Sequence, residues 1–98
     1  MAYAVVLVFD GVTEADYWAV NSKLGIGADG KGDYPAGMIT HAGAPTATGG
    51  WMVSEIWDSR ESQQSFMAGK LGAALQEVGL PDPVAFFDGD TVNVYQLG

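Results

Sequence analysis

His41 is the only histidine in the chain, and a second group with acid–base capacity, Glu55, stands in the next predicted strand. Imidazole is the side chain that most readily takes up and releases a proton near neutral pH. A carboxylate hydrogen-bonded to it would favour the protonated form. Such a pair could act as a general base on an acidic phenolic or carbon-bound proton. The competing interpretation is a strand histidine that only bonds to a neighbour or faces solvent.

Whether His41 and Glu55 meet depends on how two consecutive strands pair. The sequence predicts strands over residues 37–42 and 51–57, joined by a connection of small residues over 44–50. Opposite residues of an antiparallel pair share a face. We favour the register that pairs His41 with Val53, which makes Glu55 a diagonal neighbour. A slip of one residue would place Met52 or Ser54 opposite His41 and send Glu55 to the other face.

Aromatic and amide side chains supply the remaining binding residues. Tyr17 and Asn21 lie one helical turn apart, so both can face the same space above a sheet. An aromatic ring with a polar tip and an amide suit a pocket for a flat polar ligand. Trp18, Trp51 and Trp57 are further substrate-binding candidates. Ordinary packing, at the rim or in the core, is the alternative for all five residues.

The glycine-rich segment 25–37 matches two known motifs in letters only. Gly25, Gly27 and Gly30 fit the dinucleotide fingerprint, which requires a strand before it and a helix after it. Here a helix precedes the segment and no helix follows it. The segment also lacks the ligands of a calcium loop, and we expect no metal site and no cofactor. A lid over a pocket and a plain solvated connection both remain open for this segment.

Composition restricts the partners that the chain can have. Twelve acidic and four basic side chains give 98 residues a formal net charge of −8. This charge disfavours nucleic acid and anionic membrane surfaces, so we expect neither as a partner. The absence of cysteine excludes disulfides and thiolate chemistry. No segment approaches the roughly 20 apolar residues that span a bilayer, and we expect a cytoplasmic protein.

The order of predicted elements indicates an α+β domain over residues 1–98. The sequence predicts strands over 3–9, 37–42, 51–57 and 84–87 and helices over 14–24 and 60–78. Residues 88–90 are predicted as a turn or bulge, and residues 91–97 alternate in hydropathy. This βαββαβ order is typical of a ferredoxin-like antiparallel sheet with both helices on one face. The first strand is apolar on both faces. We therefore expect a homodimer that packs the open faces of two sheets together.

Several runs carry a resemblance to a known superfamily. They are Pro35-Ala36-Gly37-Met38-Ile39-Thr40-His41, Gly50-Trp51, Glu55-Ile56-Trp57-Asp58-Ser59-Arg60-Glu61-Ser62 and Phe66. The chain resembles the dimeric α+β barrel superfamily, and within it small stand-alone proteins of the antibiotic biosynthesis monooxygenase type. The resemblance implies an oxidoreductase or a small isomerase. In the haem-degrading branch the axial histidine lies on the second helix, where this chain has none. The polyketide-oxidising branch uses an arginine in its pocket, whereas Arg60 is predicted to face solvent.

Three functions follow from these observations. The first is an enzyme that acts without metal on an aromatic or polyketide-like small molecule, as a cofactor-independent monooxygenase or as a cyclase or isomerase. His41, tuned by Glu55, would remove a proton, and Tyr17 and Asn21 would orient the substrate and stabilise oxyanion charge. The second is a non-catalytic, stress-related dimer that sequesters a hydrophobic ligand. The third is haem binding, for which only His41 could supply the ligand.

Overall fold

The computed structural model describes residues 1–97 and has the predicted βαββαβ order. The second helix is continuous but changes its hydrogen bonding in the middle, so it is given as α2, a π-helical turn and α3. The elements are β1 (Tyr3–Asp10), α1 (Glu14–Lys23), β2 (Met38–Pro45), β3 (Gly50–Trp57), α2 (Arg60–Phe66), the π-helical turn (Met67–Leu71), α3 (Gly72–Val78) and β4 (Ala85–Asp90). The predicted α+β ferredoxin-like fold is confirmed.

The four strands form one antiparallel sheet in the order β2-β3-β1-β4. Alternate residues of β1 are buried, and they pack with Val20 of α1 and Leu75 of α3 in the core. Both helices therefore cover the same face of the sheet. The fold places one layer of helices over the side chains of β2 and β3 that carry the predicted chemistry.

Local sequence explains where the helices begin and end. The hydroxyl of Thr13 accepts a hydrogen bond from the Asp16 backbone N–H, and the Asp16 carboxylate accepts one from the Thr13 backbone N–H, which forms a capping box. Gly25 follows α1 with a φ of +82°, a conformation that favours glycine. The hydroxyl of Ser59 caps α2 through the backbone N–H of Ser62.

The prediction of a regular second helix over 60–78 was wrong at its centre, where residues Met67–Leu71 form a π-helical turn. In an α-helix the residue one turn after Phe66 is Lys70, because the bonds join residues four apart. The π-helical turn joins residues five apart. Phe66 and Leu71 both line the cavity below the helix. The irregular turn thus brings an apolar side chain, rather than a lysine, over the sheet.

The register of β2 and β3 differs from the predicted one by two residues. His41 lies directly opposite Glu55, and Gly43 lies opposite Val53. The cause is a turn shorter than the predicted connection, because β2 continues to Pro45, which pairs with Trp51. A shift of two residues keeps the side chains on the same face. His41 and Glu55 therefore share a face despite the wrong register.

The end of the chain also departs from the sequence interpretation. Asp88, Gly89 and Asp90, predicted as a turn or bulge, belong to β4 in regular register, and residues 91–97 form no strand. Asp88 lies opposite Val5 and accepts hydrogen bonds from the Tyr3 hydroxyl at 2.6 Å and the Arg60 guanidinium at 3.1 Å. These two partners explain how an acidic residue is held within the ladder. Arg60 is a structural residue here and not only a solvent-facing one.

The Tyr3 hydroxyl predicts a specific loss of stability at alkaline pH. Burial, the hydrogen bond to Asp88 and the charge of that carboxylate raise the pKa of Tyr3 from 10.0 to about 12. Because the folded chain holds this proton more tightly, the contribution is complete below pH 10 and is lost as the pH rises through 12. We expect the difference in unfolding free energy between the wild type and Tyr3→Phe to narrow over this range. Denaturant titrations at several pH values measure it, and a constant difference would contradict it.

The face of the sheet opposite the helices stays partly open. Ala4, Val6 and Val8 of β1 are only half-buried there, and two of their neighbours in the sheet are exposed apolar side chains. Met52 is 40% exposed and Phe87 is 62% exposed. Within residues 1–97, no helix is long or apolar enough to cross a membrane.

Candidate functional site

The centre of the candidate site is a buried carboxylate with two donors. Glu55 lies in the central strand β3 and is only 4% exposed. Its Oε1 accepts the indole N–H of Trp57 at 3.0 Å, and its Oε2 lies 2.8 Å from Nδ1 of His41. A buried charge is tolerated only when it is paired and hydrogen-bonded. Both oxygens of this carboxylate meet that condition.

The hydrogen bonds at Glu55 determine which nitrogen of the His41 imidazole carries the proton. An indole N–H can only donate, so Oε1 of Glu55 is an acceptor. When Glu55 is ionised, Oε2 accepts as well, and Nδ1 of His41 carries the proton. In the neutral imidazole, Nε2 is then an acceptor. The second nitrogen of His41 is thus prepared to receive a proton.

Nε2 of His41 already has a protein partner, the hydroxyl of Tyr17 at 2.6 Å. With Nε2 as acceptor, the phenol O–H donates to it. The four side chains form a chain of hydrogen bonds that runs from Tyr17 through His41 to Glu55, which also accepts from Trp57. The His41 side chain is 22% exposed, so the open end of this chain is at Tyr17 and His41.

An apolar cavity lies between α1, the second helix and the sheet. Its apolar walls include Leu7, Val53, Phe66 and Leu75. Its polar side chains are Tyr17, Asn21, His41 and Glu55. Asn21 is 5% exposed, one turn after Tyr17 on α1. The structure therefore brings the four residues that the sequence suggested for proton transfer and substrate orientation around one cavity.

The size of the cavity limits what it can hold without a change of shape. Its volume is about 50 Å³. A water molecule needs roughly 10–15 Å³ on this measure, and an engineered cavity that binds benzene has about 150 Å³. The cavity has room for a few waters and not for an aromatic ring. A ligand of that size needs movement of half-buried side chains such as Phe66 and Leu71.

The three tryptophans have different places. Trp51 lines the cavity, and its ring lies 5.0 Å from that of Tyr17. Its indole nitrogen is buried with no hydrogen-bond partner in the part of the chain that the structure describes. Trp57 is fully buried and holds Glu55 without lining the cavity. Trp18 lies outside the cavity, where it is 40% exposed and donates to Glu14.

Comparison with solved structures identifies the fold. A protein from Chloroflexus aurantiacus J-10-fl, named as a candidate antibiotic biosynthesis monooxygenase, has a TM-score of 0.67 and 16% identity over 100% of both chains. Rv0793 from Mycobacterium tuberculosis has a TM-score of 0.63 and 15% identity over 98% of this chain and 100% of its own. A candidate antibiotic biosynthesis monooxygenase from Deinococcus radiodurans has a TM-score of 0.59 and 13% identity over 100% of this chain and 99% of its own.

The chain has the fold of these proteins. The α+β fold that the resemblance implies is confirmed at this level. No protein-family model matches the sequence, and no curated protein matches it either. At identities of 13–16% the likeness supports the antibiotic-biosynthesis-monooxygenase-like fold and leaves the reaction to the geometry of the site.

The sequence interpretation missed the residues that shape this site within the monooxygenase-like fold. Gly43 lies directly under the Tyr17 ring, and Ile26 brings the glycine-rich segment to the cavity wall. Ile26 is held there by a hydrogen bond from its N–H to the Asn21 carbonyl and by a bridge to Gly32. One apolar residue in a run of glycines was the available signal. Among residues 1–97, no group of acidic and histidine side chains could hold a metal ion.

Proposed function

We propose that the protein is a small enzyme that removes a proton from an acidic O–H or C–H group of an aromatic or polyketide-like molecule. The observation that carries the proposal is the hydrogen-bonded chain from Tyr17 through His41 to Glu55 on the wall of an apolar cavity. Once half-buried side chains such as Phe66 and Leu71 move, the apolar walls hold the ring of such a molecule, and the polar groups orient its oxygen atoms. His41 is the proton acceptor, and the ionised Glu55 stabilises the imidazolium that forms.

The carbanion left by proton removal determines the class of reaction. In a monooxygenase, dioxygen would react with it at a CH₂ carbon, one oxygen atom becoming a carbonyl and the other leaving as water. In a cyclase, the same carbanion would attack another atom of the molecule. In an isomerase, it would be protonated at a different position. The amide of Asn21 and the indole N–H of Trp51 line the same cavity and would stabilise negative charge on the substrate oxygen.

The proposal can be tested with 4-nitrophenol, whose absorbance reports its ionisation. At a pH where the free probe is neutral, we expect the probe bound to the wild type to have the spectrum of the phenolate. The variant His41→Ala should bind the probe in its neutral form. Binding is measured separately by equilibrium dialysis, so loss of affinity and loss of ionisation are distinguished. A phenolate spectrum that survives in His41→Ala would overturn the role of His41.

A binding protein without catalysis is the second candidate function. It is favoured by the fact that both ring nitrogens of His41 already have partners in the protein. The same geometry does not fit haem, because an axial ligand needs a free imidazole nitrogen and either bond of His41 would have to break. Titration with haem should give no shifted Soret band. Neutral bound nitrophenol in the wild type would favour the binding-protein function.

We also propose that two copies pack through the open face of the sheet. Half-buried Val6 and the exposed side chains of Met52 and Phe87 form an apolar surface there. Burial of such a surface stabilises association. Sedimentation at micromolar concentration should give about twice the chain mass of 10.3 kDa. The variant Val6→Asp should sediment as a monomer, whereas Trp18→Ala, on the outer side of α1, should remain a dimer. A monomeric wild type would contradict the proposal.

A further inference from the structure

The hydrogen bonds of His41 leave it no free nitrogen for a ligand. Nδ1 is bonded to Glu55 at 2.8 Å, and Nε2 is bonded to Tyr17 at 2.6 Å. A proton from the cavity cannot reach Nε2 unless the Tyr17 hydroxyl moves aside or passes the proton on. Tyr17 itself lines the cavity. Its hydroxyl oxygen has two lone pairs, and donation of its hydrogen to His41 leaves both as acceptor sites.

We propose that Tyr17 is the catalytic residue that exchanges the proton with the ligand, and that His41 acts through it. The inference rests on the proposed function and adds the route of the proton. The ligand O–H or C–H bond breaks as its proton moves to the Tyr17 oxygen. At the same time the original phenol proton moves to Nε2 of His41. One proton has then travelled from the ligand to the imidazole, and Tyr17 is again a neutral phenol.

The charges balance at the other end of the chain. The ligand becomes an anion and His41 becomes an imidazolium, which faces the carboxylate of Glu55. The Trp57 N–H stays bonded to Oε1 of the same carboxylate throughout the transfer. No oxidant or reductant takes part in this step. Return of the proton to the product reverses the same two transfers.

Gly43 is the positioning residue that allows this route. A Cβ atom at position 43 would lie 2.7 Å from Cζ and 2.9 Å from the hydroxyl oxygen of Tyr17. These distances are well below van der Waals contact, so any larger residue must displace the ring. Gly43 has no positive φ, and alanine is therefore tolerated by the backbone itself. The glycine lets the phenol lie across β2 and reach His41 two residues earlier on the same strand.

The first test observes the hydrogen bond directly. His41 is the only histidine, so its two ring nitrogens give single signals in ¹⁵N NMR spectra. We expect the wild type to show Nδ1 protonated and Nε2 as an acceptor. Both Tyr17→Phe and Gly43→Ala should shift the Nε2 signal in the same way, because each takes the phenol hydroxyl away from Nε2. The matched control is Gly89→Ala in β4, because a Cβ there meets nothing within 4 Å.

The second test separates this inference from the proposed function. With bound 4-nitrophenol, Tyr17→Phe and Gly43→Ala should lose the phenolate spectrum as completely as His41→Ala does, while Gly89→Ala keeps it. If Tyr17→Phe keeps the phenolate and His41→Ala loses it, His41 takes the proton directly and the route through Tyr17 is wrong. If His41→Ala also keeps it, the proposed function itself fails. An unshifted Nε2 signal in Gly43→Ala would remove the positioning role of Gly43.

Discussion

The substitution Glu55→Leu is expected to lower the free energy of unfolding by about 3 kcal/mol. The reason lies in the two donors that the change leaves behind. The indole N–H of Trp57, in a side chain with no exposed surface, and Nδ1 of His41 would both lose their acceptor. Each buried donor without a partner costs about 1–3 kcal/mol. Chemical denaturation at neutral pH measures the loss, and a change below about 1 kcal/mol would contradict it.

The matched control, Glu55→Gln, distinguishes hydrogen bonding from charge. The amide oxygen can still accept the Trp57 N–H, and the amide NH₂ can donate to Nδ1 of His41. The imidazole must then carry its proton on Nε2 and donate it to the Tyr17 oxygen. Every bond of the chain survives and only the two bonds of His41 reverse their direction, so we expect stability within about 1 kcal/mol of the wild type. The ability to ionise bound nitrophenol should nevertheless disappear, because Nε2 no longer accepts a proton.

The general fold was predictable because its signals are local and periodic. The capping box at Thr13 and Asp16 and the glycine after α1 mark helix ends whatever the rest of the chain does. Alternation of apolar residues predicted the strands in the same way. These signals repeat over many residues, so a single misjudged position does not change the element.

The site was predictable in part, because the helix and the strand that carry it each have a regular geometry. The four-residue spacing of Tyr17 and Asn21 fixes one face of α1, and strand alternation fixes the face of Glu55. The predicted diagonal relation between His41 and Glu55 was wrong, and the two residues are directly opposite. The two side chains still share a face of the sheet, because the error in register was an even number of residues. An error of one would have placed the two side chains on opposite faces.

The features that escaped prediction depend on contacts between distant segments. The need for glycine at position 43 comes from a tyrosine 26 positions earlier, whose ring crosses the strand. The π-helical turn ends at Leu71, which lines the cavity against residues of α1 and the sheet. Asp88 in β4 is bonded to Tyr3 in the neighbouring strand β1 and to Arg60 in α2, both far away in sequence. None of these partners is visible from local composition.

Gly50 provides a second prediction with a large effect, since its requirement for glycine is also set by a distant segment. A Cβ atom at Gly50 would lie only 2.1 Å from the carbonyl oxygen of Phe9 in β1. Its own N–H donates to the Thr46 hydroxyl at 2.8 Å, which closes the turn between β2 and β3. The neighbour is a strand backbone and cannot rotate away. We expect Gly50→Ala to lower the free energy of unfolding by about 3 kcal/mol, at the upper end of the effects of overpacking.

The adjacent residue supplies the control for Gly50→Ala. Gly49 has a φ of +87°, and a Cβ there would meet nothing within 4 Å. The substitution Gly49→Ala therefore introduces only backbone strain, which costs roughly 1–2 kcal/mol. Denaturant titrations of both variants should place Gly50→Ala clearly below Gly49→Ala in stability. Equal losses would mean that β1 and β3 separate easily at this end. The close approach of Gly50 and Phe9 would then not be needed for the short turn that places His41 opposite Glu55.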